Sequence, residues 1–148
     1  MDLVVGQPVL ASPNFSGDLT YKGLFDILLT TSDNARCVDC KSGQSTHVSV
    51  FFAVFLCENC AFTHRNELTM HKSYVKKLGD TFDDYQIRFF QVENIGNANF
   101  QLFLEKYKIE SLRISEKYQT RATKHYKQFL MAQVEDRDFA KKAPNERL

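Results

Sequence analysis

The 148-residue chain has no tryptophan, only three prolines and six glycines, and no surplus of either charge: 19 Lys and Arg stand against 18 Asp and Glu. A balanced charge offers no general attraction for a polyanion, and no basic-aromatic stripe surrounds the cysteines, so nucleic acid is not an expected partner. The locally basic segments KHYKQ and FAKK read as solvated helix face. Long apolar runs are also missing. The longest, VFFAVFLC (Val50 to Cys57), falls well short of the roughly 20 residues that span a bilayer, so no transmembrane segment is expected. The N-terminus lacks the basic start and long apolar core of a secretory leader, and the Arg-rich amphipathic character of a mitochondrial presequence. The default compartment is the cytoplasm. Uncleaved or internal signals leave an organellar assembly open, for example a mitochondrial one.

Aromatics are plentiful, with 13 Phe and 6 Tyr. The length fits one domain with one core, and no internal repeat or low-complexity segment interrupts it. Residues 1–18 hold two prolines and two glycines and read as an extended N-terminal arm. Residues 19–134 form the folded domain, and residues 135–148 a polar C-terminal tail. Leu19 to Leu29 puts Leu24, Phe25, Leu28 and Leu29 on one helical face, and TTSDNAR reads as a polar turn. HVSVFFAVFLC has the Val and Phe content of a buried strand. The chain is expected to turn helical after Cys60, through about Thr69. Asp83 to Ile95 predicts an amphipathic helix stopped at Gly96. A further helix over 98–107 would align Phe100, Phe103, Leu104 and Tyr107. A last one over 115–133 would align Tyr118, Ala122, Tyr126 and Phe129.

The four cysteines leave no thiol over. They fall in the pattern Cys37-x2-Cys40-x16-Cys57-x2-Cys60. Each close pair can aim two sulfurs at one point, and the spacer is long enough to fold back. Four thiolates then complete the closed tetrahedral shell of a structural zinc site, with no open position for a reacting water. Two close pairs in a chain without a secretory leader favour metal over disulfides. His47, His64, His71 and His125 are not needed as ligands and read as surface residues or neighbours of the metal site.

From about Gly23 to Phe129 the chain resembles the zinc-finger domain of Arf GTPase-activating proteins. The resemblance rests on RCVDC and VFLCENCAFTHR: the cysteine spacing, Asp39 inside the first pair, an apolar strand into the third cysteine, and His64-Arg65 after the fourth. HKSYVKKL (71–78) is similar to the family's H-x-S-x-V-R-S-L, IGNAN (95–99) to its Gly-Asn…Ala-Asn stretch, and EKYQTRA (116–122) to its K-Y-x-x-R helix. The implied fold is α+β: a small four-cysteine zinc finger with a short central sheet packed by several helices. The implied mechanism docks the domain on an Arf-type small GTPase and inserts one arginine into the partner's nucleotide site. There its guanidinium offsets the charge that develops on the phosphates. The resemblance maps that arginine onto Arg65 and the ligands of one Zn2+ onto Cys37, Cys40, Cys57 and Cys60.

The chain departs from the family pattern around Arg65. His47 stands nearest the family's first tryptophan, Phe82 replaces its later one, and Phe51 and Ala53 stand for its Asn and Gly. The Gly-Asn…Ala-Asn stretch is two residues shorter. Ala61-Phe62 replaces small residues, and NELTMH is one residue longer than the family's loop and lacks its glycine. Phe62 lies one helical turn before Arg65 and would crowd a surface meant to approach a nucleotide. The longer loop would shift the arginine's register. Arg65 has a structural use as well, offsetting the zinc–thiolate charge or pairing with Glu67 or Asp39. These departures predict a non-catalytic structural or interaction subunit of a larger multisubunit complex, without enzyme activity of its own. The bare single-domain length and the apolar arm (3–15) fit such a subunit, and it could sit peripherally on a membrane complex. The alternative is an active GTPase-activating protein that uses Arg65 as its finger.

Overall fold

The computed structural model describes residues 17–137. Residues 1–16 of the expected arm and 138–148 of the expected tail lie outside the described residues. The elements run α1 (Gly17–Leu28), α2 (Ser32–Ala35), β1 (His47–Ser49), β2 (Val54–Leu56), α3 (Glu58–Glu67), β3 (Val75–Lys77), α4 (Asp84–Phe89), α5 (Asn97–Lys106), α6 (Ile114–Lys117) and α7 (Arg121–Val134). This is the expected α+β architecture, a short sheet packed by helices.

The apolar run HVSVFFAVFL is not one strand. It folds back on itself through a 3-10 turn, Val50–Phe52, and Ala53 reverses the chain in the left-handed region at φ 52°. β1 and β2 therefore pair antiparallel, Val48 opposite Phe55, and β3 adds to the other edge of β1 with Val48 opposite Lys76. The sheet order is β2-β1-β3. Both sides of the sheet are covered, which is why the run reads as continuously apolar.

Alternation along β2 divides the core. Val54 and Leu56 point to a cluster with Phe52, Phe100, Leu104, Ile109, Tyr118 and the cysteines. Phe55 points the other way, to Leu24, Phe25, Phe82, Ile87, Phe89, Phe90 and Leu130. Phe82, where the resembled family has its later tryptophan, is 1% exposed, and its ring centroid lies 5.1 Å from that of Phe25. A well-packed aromatic pair adds about 0.5–1.5 kcal/mol to the burial itself.

Three expectations change in detail. TTSDNAR holds the one-turn helix α2, capped by Thr31. The 83–95 helix stops at Phe89, although the Asp83–Gln86 capping box starts it as expected. Phe90 turns back and Asn94 enters the left-handed region at φ 63°, while Gly96, at φ 116°, opens α5. The 115–133 helix is broken at Tyr118–Thr120, because the Thr120 side chain accepts from the Thr123 N–H and starts a new helix.

Candidate metal centre and the arginine beside it

The first cysteine pair sits in the turn after α2, closed by an isolated bridge between Arg36 and Gln44 and by Lys41 at φ 67°. The second pair begins α3. Cys57 is its N-cap, with Sγ accepting from the Cys60 N–H at 3.4 Å. A helix N-terminus favours negative charge, so this is a suitable place for thiolates. The sulfurs of all four cysteines lie within 4.8 Å of one another. Those of Cys40 and Cys57 are 3.7 Å apart. A tetrahedron with metal–sulfur bonds of about 2.3 Å has edges of roughly 3.8 Å, so the cluster already has the dimensions of a four-thiolate zinc site.

Backbone N–H groups of Asp39 and Gly43 point at Cys37 Sγ and Cys40 Sγ, both at 3.4 Å, and the Ser42 hydroxyl adds to Cys40 at 3.5 Å. Gly43 has to be glycine for lack of room, since a Cβ there would lie 2.5 Å from the Cys57 Cβ. Four bare sulfurs this close cannot all be thiolates. The hydrogen bond from Cys60 holds Cys37 down at about 5, and that same bond, then burial, pushes Cys60 far up. Burial raises Cys57 as well. A soft divalent cation that replaces these shared protons satisfies the whole set. The four cysteines fit one structural zinc ion.

Behind the cysteines lies a buried polar chain. Asp39 Oδ2 is 2.8 Å from His64 Nε2, and the two side chains are 3% and 0% exposed. Asp39 Oδ1 accepts from the Tyr118 hydroxyl at 2.7 Å and from Lys117 Nζ at 3.2 Å. On the far side of the imidazole, Nδ1 meets Ser73 Oγ at 2.6 Å, and Ser73 Oγ meets Ser49 Oγ at 2.7 Å. A carboxylate only accepts, so His64 Nε2 carries a proton. In the neutral ring the Ser73 hydroxyl then donates to Nδ1, and the Ser49 hydroxyl donates to Ser73. Burial pushes the Asp39 carboxyl up, but His64, Lys117 and Tyr118 together outweigh it and hold it below its ordinary value.

Ser, His and Asp are the residue types of a hydrolytic triad, yet this chain is a brace. In a triad the serine takes Nε2 and the aspartate Nδ1; here they are exchanged. Ser73 is also buried and tied to Ser49, out of reach of a reactant.

Arg65 is the next residue along α3 from His64, and it is exposed. Among the described residues it makes no hydrogen bond or ion pair. The pairing expected with Asp39 or Glu67 does not form, because Asp39 is saturated by His64, Lys117 and Tyr118. The guanidinium is felt by His47, which burial first and Arg65 second hold below its ordinary value. Phe62, one turn earlier, is 67% exposed, and Met70 just beyond the helix is 62% exposed. Two hollows among the described residues, about 190 and 320 Å³, are lined by other residues and do not include Arg65.

The ArfGap family model, described as "Putative GTPase activating protein for Arf", matches residues 22–143. The chain belongs to the ArfGAP family. ADP-ribosylation factor GTPase-activating protein 3 of Bos taurus is 30% identical over 111 residues, 74% of this chain and 21% of that protein. Sporulation protein SPS18 of Saccharomyces cerevisiae is 34% identical over 107 residues, 71% of this chain and 35% of that protein. The chain thus spans about a fifth of the length of its Arf GTPase-activating relatives. A crystal structure from Cryptosporidium parvum, described as "putative GTPase activating protein for ADP ribosylation factor", superposes with a TM-score of 0.70 at 27% identity. It covers 81% of this chain and 95% of that one.

Within this ArfGAP fold the four cysteines converge on one point, and Arg65 follows His64 on α3. Lys117, Tyr118 and Ser73 had no role assigned from sequence. The signal was there in the K-Y and H-x-S echoes of the family pattern, and the fold brings both onto Asp39 and His64. His64 is a buried neighbour of the metal site, and His47 is buried in the sheet.

Proposed function

We propose that this chain accelerates GTP hydrolysis by an Arf-type small GTPase, with Arg65 entering the partner's nucleotide site. The observation that carries this reading is the freedom of Arg65: an exposed guanidinium with no hydrogen bond or ion pair among the described residues to give up on docking. An arginine used to balance local charge would be tied down. Here the local acid, Asp39, is satisfied by other groups. The relatives named as Arf GTPase-activating proteins support the same partner class. Cys37, Cys40, Cys57 and Cys60 would hold a zinc ion whose role is structural, tying the two cysteine pairs together at the start of α3. The chain's own residues then bind the partner and present one planar cation to phosphate oxygens, a role lysine's point charge does not reproduce.

The test is single-turnover GTP hydrolysis by Arf-type GTPases with the wild-type chain and Arg65→Lys. Acceleration of about 10³-fold or more that collapses in Arg65→Lys supports the reading. A second reading, the non-catalytic interaction subunit, is favoured by Phe62, whose large exposed ring beside Arg65 suits a lasting apolar contact. Absence of acceleration, together with stoichiometric co-purification with a large complex, would establish that one instead.

A further inference from the structure

Among the described residues Arg65 has no hydrogen-bond or ion-pair anchor, so its aim is set by the backbone of α3. What sets α3 is unusual for a helix. Its sequence, ENCAFTHRNE, has no apolar stripe, and within the helix only Ala61 and His64 are buried. Ala61 is too small to fix the helix's rotation about its axis. His64 is the one large side chain α3 sends inward, and it is held at both ring nitrogens and packed against a third group. Asp39 takes Nε2, Ser73 takes Nδ1, and the Tyr118 ring packs against the imidazole at 4.5 Å between centroids. The start of the helix is fixed separately by Cys57 and Cys60. Successive residues of a helix leave its axis about 100° apart, so a roll that displaced His64 would carry Arg65 with it.

We propose that Asp39 and His64 are positioning residues for Arg65: the buried Asp39–His64–Ser73 chain fixes the roll of α3 and thereby aims the arginine at the partner's phosphates. This rests on the activator reading of Arg65. It also gives the first cysteine knuckle a second task. Asp39 lies between Cys37 and Cys40, and its N–H caps Cys37 Sγ while its carboxylate holds the helix that bears the finger. Lys117 and Tyr118, from α6 and its C-cap, hold Asp39 in turn.

The test compares wild type, Asp39→Asn, Ser73→Ala, Arg65→Ala and the double variant Asp39→Asn/Arg65→Ala in single-turnover hydrolysis by an Arf-type GTPase. Asp39→Asn keeps shape but replaces one acceptor oxygen with a donor facing His64 Nε2–H. Ser73→Ala removes only the partner of Nδ1. The expected result for either variant is a fall of about 10²-fold in the rate at saturating chain, with the half-saturating concentration moved less than about threefold. Zinc content should stay at one ion per chain. In the Arg65→Ala background, Asp39→Asn should cause no further loss; a merely structural role would lower the residual rate again. If Asp39→Asn does not fold or loses zinc, Ser73→Ala carries the same comparison. An arginine-dependent rate that both variants leave intact overturns the positioning role while the activator reading stands. A wild-type chain that does not accelerate hydrolysis overturns both.

Discussion

His64 Nε2 and Asp39 Oδ2 stand 2.8 Å apart across 25 residues of sequence, with both side chains closed off from water. Such a pair is weak evidence of net stabilisation, because removing two charged or polar groups from water is costly. Losing one partner is another matter. Asp39→Ala would leave Lys117, itself 4% exposed, without its counter-charge, and the His64 N–H and Tyr118 hydroxyl without an acceptor. The expected cost is about 3–5 kcal/mol, read as a lower urea midpoint with zinc in excess. A loss below about 1 kcal/mol would mean that water reaches the cluster.

Zinc should be inseparable from folding. Cys37→Ser, or a strong chelator acting on the wild type, should remove the metal and lower the melting temperature together. Protons compete with the metal for thiolate sulfur, so zinc should also be released progressively as pH falls. Gly43→Ala is the sharper probe because it leaves all four ligand residues in the sequence. The added methyl would sit 2.5 Å from Cys57 Cβ and 2.9 Å from Cys57 Sγ, so the second pair must move. Metal affinity should drop in a competition titration against a coloured chelator. A variant with wild-type affinity would show that the knuckle has slack.

The metal site was the most legible part of the chain because its chemistry is local: two C-x-x-C pairs carry their geometry in their spacing. Asp39, His64, Ser73, Lys117 and Tyr118 each sit in a recognisable fragment, but what joins them is tertiary, across separations of up to 79 residues. No period or propensity encodes that convergence. The hairpin was hidden for a different reason. Its turn uses Ala53 at φ 52°, where glycine or asparagine would have marked a reversal, and burial on both faces erased the alternation that reveals a strand pair. The break before α7 was obscured by an apolar period that continues through it from Tyr118 to Ala122, although Thr120 caps the new helix.

Asn97 should prove as important to the fold as any aromatic residue. It is 3% exposed and joins three segments. Its Nδ2 donates to the carbonyls of Arg36 at 2.8 Å and Asp33 at 3.0 Å, and its Oδ1 accepts from the Phe55 N–H at 2.8 Å. Its own N–H donates to Asn34 Oδ1 at 2.9 Å. Asn97→Ala leaves the buried Phe55 N–H of β2 and part-buried carbonyls around α2 without this partner, and should cost about 3 kcal/mol by chemical denaturation. Amide exchange should rise first around residues 33–37, which lean on Asn97, and less in β1. Uniform exchange across the domain would show that Asn97 acts only through global stability.

The Tyr85–Glu135 contact predicts a loss of stability in alkali. The Tyr85 hydroxyl donates to Glu135 Oε2 at 2.6 Å, joining α4 to the C-cap of α7. Burial first, then this bond, push the phenol up to about 12, against about 10 for an unfolded tyrosine. The folded chain therefore keeps a proton that the unfolded chain loses in that window. The contribution is fully present below about pH 10 and declines as pH rises towards 12. Glu135→Gln removes the acceptor's charge but not the burial, so Tyr85 should ionise at lower pH without returning fully to 10. Absorbance titration near the phenolate band reads this directly, with Tyr85→Phe identifying which of the tyrosine steps belongs to Tyr85. If wild type and Glu135→Gln give superimposable curves, burial alone raises the phenol and the bond does not hold α4 against α7.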